Sequence, residues 1–229
     1  MSVATATADK QRRRVFLVDD HPLVREWLTN LLKQQPDLEV CGEAENAAQA
    51  LLGIAETKPS LAIIDISLNA ASGLELVKDL CIQHPSVASL VLSMHEEELY
   101  AERAMRAGAR GYVRKRETSK NILAAIRRVL EGGIYISQKL SNAMAQKFLK
   151  GQEAVGVAQS RVGQLSDREL EVFQLLGKGR STSEIADELH LSLKTVQAYS
   201  VRAKEKLGLT SAAELLREAI LWVENAHLR

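Results

Sequence analysis

Val15-Phe16-Leu17-Val18-Asp19-Asp20-His21-Pro22 decides how this chain is read: four apolar residues in a row, two acids, then a proline within two positions. A short run that is apolar at every position fits a strand buried on both faces, as in a parallel sheet with helices above and below it. Pro22 suits the first turn of a helix, where its missing N–H costs nothing. The acid pair therefore falls at the carboxyl end of a first strand. Similar runs recur at Leu38 to Cys41, Leu61 to Ile64, Leu90 to Leu92 and Gly111 to Val113, each with room for a crossover helix before the next. Helical stripes lie between them, with Leu23, Trp27, Leu28, Leu31 and Leu32 early, and Ile122, Ala125, Ile126, Val129 and Leu130 late.

The first part of the chain is accordingly an α/β unit over residues 14–137, a flavodoxin-like five-stranded parallel sheet of order 2-1-3-4-5, behind a disordered tail of residues 1–13. After Gly132-Gly133 the alternation stops, and only Ile134-Tyr135-Ile136 still reads as strand. All four prolines precede this point, which leaves the remainder free of the strongest helix breaker. Leu140, Met144 and Phe148 give a linker helix, and Gly151 and Gly156 mark a flexible stretch, so residues 138–159 form a linker and residues 160–229 an all-α domain.

The chain has 229 residues, 46% of them hydrophobic and 26% charged, so it is long enough for two cores and is no low-complexity sequence. Thirty Lys and Arg against 29 Asp and Glu leave +1, so any attraction to nucleic acid must be local. The two cysteines, Cys41 and Cys81, form no CxxC pair, which removes support for structural zinc and a disulfide framework; both are expected as buried thiols. No stretch approaches the ~18 apolar residues of a membrane helix, and the N-terminus has no apolar core of a signal peptide. A cytoplasmic protein without a membrane partner is expected.

Within the α/β unit, Asp19 and Asp20 follow strand one, Asp65 strand three, Ser93 strand four and Lys115 strand five. Strands one and three are neighbours at the point where strand order reverses, the place where open α/β sheets bind ligands. Three carboxylates converging there repel one another unless protonated or metal-bound, and oxygen ligands at close range suit Mg²⁺. Taken singly, the acid pair reads as a cap for the helix at Pro22 and Lys115 as a solvated charge. The coincidence of acid pair, acid, hydroxyl and lysine, each at a strand end, favours a site.

Val18-Asp19-Asp20-His21, Asp65-Ile66-Ser67-Leu68 with Ser72-Gly73-Leu74-Glu75, Leu92-Ser93-Met94-His95 and Gly111-Tyr112-Val113-Arg114-Lys115 resemble the receiver domain of bacterial two-component response regulators, over residues 14–137. The resemblance implies that Asp65 accepts a phosphoryl group from a sensor histidine kinase or a small phosphodonor. It also implies Mg²⁺ held by Asp20, Asp65 and the backbone carbonyl of Ser67, with Asp19 acting through water. Lys115 and the metal then neutralise developing charge, Ser93 hydrogen-bonds the new phosphate, and Tyr112 matches the switch aromatic, although it also reads as an ordinary strand residue. Where many receivers carry proline four residues after the acceptor, this chain has Asn69, followed by Ala70 and Ala71.

Near Leu165 the helix signals sharpen. Ser166-Asp167-Arg168-Glu169 and Ser181-Thr182-Ser183-Glu184 are capping boxes, Gly177 and Gly179 end the helix between them, and Ser192 caps a third helix from Leu193 to Leu207. On that helix Val196, Ser200, Ala203 and Leu207 share one face, and Lys194, Gln197, Ala198, Val201 and Arg202 the opposite one. Four cations against Glu205 give it a net +3. Leu165 to Val172, Ser183-Glu184-Ile185-Ala186, and Leu191 to Val196 followed by Lys206-Leu207-Gly208 resemble the LuxR-type DNA-binding domain of NarL/FixJ-type regulators.

That resemblance implies double-stranded promoter DNA as partner. Lys194 and Thr195 would lie at phosphates or the groove edge. Gln197 stands where Lys is frequent and suits bidentate reading of adenine, and Tyr199 stands where His is frequent. Ala198, Val201 and Arg202 complete the expected contact face. The last helix, with Ala212, Leu215, Leu216, Ala219, Ile220 and Val223, implies a homodimer or packs on its own core. The expectation is a phosphorylated transcription regulator, not an enzyme. A Mg²⁺-dependent phosphohydrolase with Asp65 as nucleophile, and a DNA binder indifferent to phosphorylation, stand as alternatives.

Overall fold

A computed structural model describes residues 12–68, 71–94, 97–149 and 161–227. The expected tail at residues 1–11 and flexible linker at residues 150–159 lie outside the described residues, as do Asn69 and Ala70. The chain divides into two compact units between Ser137 and Gln138.

In the first unit, strands β1 (Arg13–Val18), β2 (Leu38–Ala44), β3 (Leu61–Ile64), β4 (Ala88–Ser93) and β5 (Gly111–Arg114) form one parallel sheet of order 2-1-3-4-5. Helices α1 (Pro22–Lys33), α2 (Ala47–Thr57), α3 (Gly73–Gln83), α4 (Glu97–Ala107) and α5 (Ser119–Leu130) are the crossovers and the final helix. Alternate strand residues point to opposite faces. Val15, Leu17, Ile63, Leu90, Leu92 and Val113 pack with Leu28 and Leu32 of α1 and with Ile122, Ala125, Ile126 and Val129 of α5. On the other face the Phe16 ring lies where α2 carries Gly53, so close that a Cβ there would come within 2.6 Å of the ring.

The strands differ from expectation at their ends. Arg13 is the first residue of β1, paired with Leu38, and belongs to the sheet where a tail to residue 13 was expected. Strand β2 runs on to Ala44 because it pairs along a sheet edge with polar residues on its outer side, and the register shifts between Val15 and Phe16 leave Cys41 in a bulge. Cys41 is half-buried and Cys81 exposed, correcting the expectation of two buried thiols: Cys81 falls on the outer face of α3. Tyr135 adds a single bridge beside Gly111 and so protects the outer edge of β5.

In the second unit, α6 (Gln138–Leu149) covers the first part of the expected linker, and a 3₁₀ turn (Arg161–Gln164) leads into α7 (Asp167–Gly177), α8 (Thr182–Glu188), α9 (Leu193–Leu207) and α10 (Ala212–His227). Both capping boxes form, Ser192 caps α9, and Gly208 ends it in the left-handed conformation at φ +69°. Val172, Leu175, Ile185, Ala186, Leu189 and Val196 make the core of the helix-turn-helix. Helix α10 closes on α7 through Leu215, Ala219 and the Phe173–Trp222 edge contact at 5.9 Å. No helix among the described residues is long and apolar enough to cross a membrane.

Gly177 is where α7 and α10 meet most closely: a Cβ there would stand 2.3 Å from the carbonyl oxygen of Ala219, a backbone atom that cannot swing away. Gly177→Ala should therefore part the two helices and destabilise the second unit by about 1–3 kcal/mol, the range of overpacking. Gly132→Ala meets nothing within 4 Å and carries only the strain of a positive φ. Denaturant unfolding of both variants checks the difference.

Candidate functional site

Parallel register brings the first site together. Val18 pairs with Ile64, and the Asp65 N–H donates to the Val18 carbonyl at 2.9 Å, so Asp19 and Asp65 leave adjacent strands at the same end. Ser93 pairs with Arg114, and the Lys115 N–H donates to the Ser93 carbonyl at 2.8 Å, which sets the lysine at that end too. The Lys115 ammonium then reaches 2.7 Å from both Asp65 Oδ2 and Asp19 Oδ2, with only 7% of its side chain exposed. Burial opposes the charge on Lys115, but Asp65 and Asp19 outweigh it and raise the lysine above its ordinary value.

His21 Nδ1 stands 2.7 Å from Asp20 Oδ1 and 3.4 Å from Asp19 Oδ1, although the His21 side chain is 58% exposed. Ligand atoms of Asp19, Asp20, His21 and Asp65 all lie within 4.8 Å of one another. Helix α1 takes His21 as its N-cap with no side-chain cap bond, and Asp19 instead accepts from the His21 N–H at 2.9 Å, so the acid pair is not there to cap the helix. Asp20 Oδ1 is buried and accepts no well-aligned hydrogen bond even with His21 so near. Three carboxylates against one ammonium leave a formal excess of two negative charges in a largely buried cluster. That donor set, hard oxygens with one orphaned acceptor, fits a divalent cation such as Mg²⁺.

Ser93 is fully buried, and Tyr112 is turned inward, 1% exposed, with its hydroxyl hydrogen-bonded to Ser93. Burial is the largest influence on the Tyr112 phenol and raises it well above its ordinary value; Asp65 and Glu97 add to this, while the Ser93 bond and Arg114 oppose it. Ser67 sits just beyond the cluster, in a two-residue ladder with Ser72.

Three contributors went unread in the sequence. His21 follows the acid pair. Arg25, one turn into α1, donates through Nη1 to the Asp19 carbonyl at 2.6 Å and fixes the loop from behind. Gly73 leaves room for the Asp65 carbonyl, which a Cβ at that position would approach to 1.8 Å. Gly73 follows Ser72, which the structure shows as the N-cap of α3, so the crowding falls at the start of that helix.

The second site is the outer face of α9. Val196, Ala203 and Leu207 are buried; Thr195, Tyr199 and Ser200 are half-buried; Lys194, Gln197, Ala198, Val201 and Arg202 are exposed. The Thr195 hydroxyl is within 2.8 Å of the Ser192 hydroxyl and belongs to the cap. The net +3 of this helix is not all on offer. Lys206 is bonded at 2.7 Å to Glu169, the buried acid of the first capping box, whose carboxyl is held below its usual range because Lys206 and Ser166 outweigh the cost of burial. Glu214, held low chiefly by the Thr210 backbone and hydroxyl, also feels Lys204. Lys194 and Arg202 remain on the outer face.

A doubly wound unit with an acid cluster at its strand ends, followed by a helix-turn-helix unit, defines a two-module protein with an acidic pocket in one module and a DNA-binding type of fold in the other. Residues 15–127 match the response regulator receiver domain, and residues 163–219 match the bacterial regulatory proteins of the luxR family. The oxygen regulatory protein NreC of Staphylococcus aureus (strain bovine RF122 / ET3-1) is 33% identical over 90% of this chain and 96% of its own length. A LuxR-family two-component response regulator from Aurantimonas sp. SI85-9A1, of known crystal structure, is 30% identical, with a TM-score of 0.56 over 60% of this chain and 99% of that one. RcsB from Salmonella enterica serovar Typhimurium, solved bound to promoter rprA with phosphomimetic BeF3-, is 25% identical, with a TM-score of 0.56 over 90% of this chain and 97% of that one. The chain belongs to the response regulators that join a receiver domain to a LuxR-type DNA-binding domain, a family of transcription regulators.

Both buried protons in the first site act on stability in the same direction. Lys115 and Tyr112 hold theirs more tightly folded than unfolded, so the stabilisation is complete below their ordinary values of 10.5 and 10.0 and disappears as pH rises through the raised values of the folded protein. Lys115→Met should lose about 3–5 kcal/mol at neutral pH, the cost of breaking a buried pair, and should show a weaker alkaline decline than the wild type. Urea unfolding at neutral pH and above pH 10.5 checks both.

Proposed function

We propose that Asp65 is the phosphoryl acceptor of this response regulator and that α9 carries its sequence-specific contacts with promoter DNA. The observation that carries the first part is the Lys115 ammonium 2.7 Å from Asp65 and from Asp19 at the carboxyl end of the sheet. A carboxylate oxygen of Asp65 attacks the phosphorus of a phosphohistidine on a sensor kinase, forming the new P–O bond as the P–N bond breaks; the P–N electron pair leaves on the imidazole nitrogen, which takes a proton from water. Lys115 offsets charge on the transferred phosphoryl oxygens, and Ser93 donates to one of them, drawing on the group that now bonds Tyr112. Asp20, Asp65 and the Ser67 carbonyl would hold Mg²⁺, with Asp19 acting through water. Bound there, the metal supplies charge neutralisation.

On α9, Lys194, Thr195 and Arg202 would contact phosphates, and Gln197, Ala198 and Val201 would line the groove, with the half-buried Tyr199 behind them at the boundary of the helix. RcsB, solved bound to a promoter in the presence of a phosphomimetic, supports this assignment. Leu216, Ile220 and Leu221 leave an exposed apolar stripe on α10 that would join two copies on DNA. Rearrangement of Ser93 and Tyr112 on phosphorylation is the route by which DNA binding would be controlled, and the protein would act in the cytoplasm, where kinase, phosphodonor and promoter meet.

Intact mass after incubation with acetyl phosphate and Mg²⁺ should show one added phosphoryl group on the wild type, and none on Asp65→Asn or in EDTA. Labelling of the Asn variant would refute the acceptor. Lys194→Ala with Arg202→Ala should weaken duplex binding and lower the slope of log K against log salt by ~0.9 for each DNA phosphate that the variant no longer neutralises. An unchanged slope in a salt titration would refute the reading of α9.

A further inference from the structure

We propose that Tyr199 is a positioning residue for DNA binding: its ring is a fixed platform that holds the Arg202 guanidinium in place against the helix, ready for a phosphate of the DNA backbone. This rests on α9 as the DNA-contacting helix, and adds how one of its cations is arranged before DNA arrives.

Tyr199 sits at the boundary of the helix, half-buried, and packs against the cluster of Val172, Leu175, Ile185, Ala186, Leu189 and Val196. Its side chain is therefore held by the core of the helix-turn-helix and is not free in solvent. Arg202, three residues on, lies over that ring with its guanidinium carbon 4.7 Å from the centroid. The same guanidinium donates through Nε to the Ala198 carbonyl at 3.3 Å. The group is thus engaged within the protein by the ring and, at Nε, by the backbone. No acid among the described residues forms an ion pair with Arg202, in contrast to Lys206, which is bonded to Glu169. What is left over is the Nη edge, the two-pronged donor that matches a phosphate.

An unrestrained arginine is among the most rotamer-rich side chains, and ordering it on binding costs affinity. A stack and a backbone bond made beforehand reduce that cost, and the aromatic face, unlike an acid, holds the cation without neutralising its charge. Lys194, at the first turn of the same helix, has no such support among the described residues, so the two cations of the face differ in kind.

The test uses the full chain and a mixed-sequence DNA duplex, since phosphate contacts do not depend on sequence. Tyr199→Leu keeps apolar packing but removes the platform, and should weaken binding about two- to fivefold, the size expected of an exposed cation–π contact. Tyr199→Phe keeps the ring and should bind within experimental error of the wild type. In an Arg202→Ala background, Tyr199→Leu should cost nothing further. NMR of the free protein should show the Arg202 side-chain protons shifted upfield by the ring, a signature that needs no variant to fold.

A loss in Tyr199→Phe equal to that in Tyr199→Leu would mean that the hydroxyl touches DNA, and would overturn the proposal. So would a Tyr199→Leu loss that persists without Arg202, or Arg202 protons at ordinary shifts. Wild-type binding by Arg202→Ala would overturn it too: if Lys194→Ala still weakens binding, α9 remains the reader, and if neither does, the reading of α9 fails with it.

Discussion

The receiver unit is organised around one buried ammonium shared by two carboxylates. Lys115 at 2.7 Å from both Asp19 and Asp65 offsets repulsion that would otherwise push the ends of β1 and β3 apart. Its position is a consequence of register, because the strand that delivers it pairs with β4 and not with β1 or β3. The surroundings are shaped to that arrangement: Arg25 anchors the Asp19 carbonyl, Gly73 makes way for the Asp65 carbonyl, and Tyr112 closes the site over Ser93. One lysine is still too little charge for three acids, and that imbalance suits a divalent cation.

The second unit uses charge in the opposite way. Glu169 closes the capping box of α7 and at the same time bonds Lys206 of α9, so a single buried acid both caps one helix and ties it to another. A lysine that looks from its helix like part of a basic face is thereby committed to architecture. The charges left for a partner are fewer and more individually placed than the net charge of the helix suggests, and one of them, Arg202, lies over the Tyr199 ring.

The sequence by itself determined a great deal. Apolar runs buried on both sides, helical stripes between them and an acid pair before proline specify a parallel doubly wound sheet, because few folds bury such runs. Strand ends then supply Asp19, Asp20, Asp65, Ser93 and Lys115 as one group, and Ser-x-x-Glu boxes place α7 and α8, since capping is local and leaves its mark within four residues. The reading failed where neighbours in sequence say nothing about neighbours in space. The residues Gly42 and Glu43 extend β2 although their composition suggests a turn, because an edge strand needs only backbone pairing on its inner side. Cys81 faces solvent because α3 is rotated to bury Leu76, Val77 and Leu80. Arg25 behind Asp19, Gly73 beneath Asp65, Lys206 on Glu169 and Tyr199 on the core of the helix-turn-helix were decided only by tertiary structure. Each depends on the distance between elements whose packing is a property of the whole unit, and no local pattern encodes that distance.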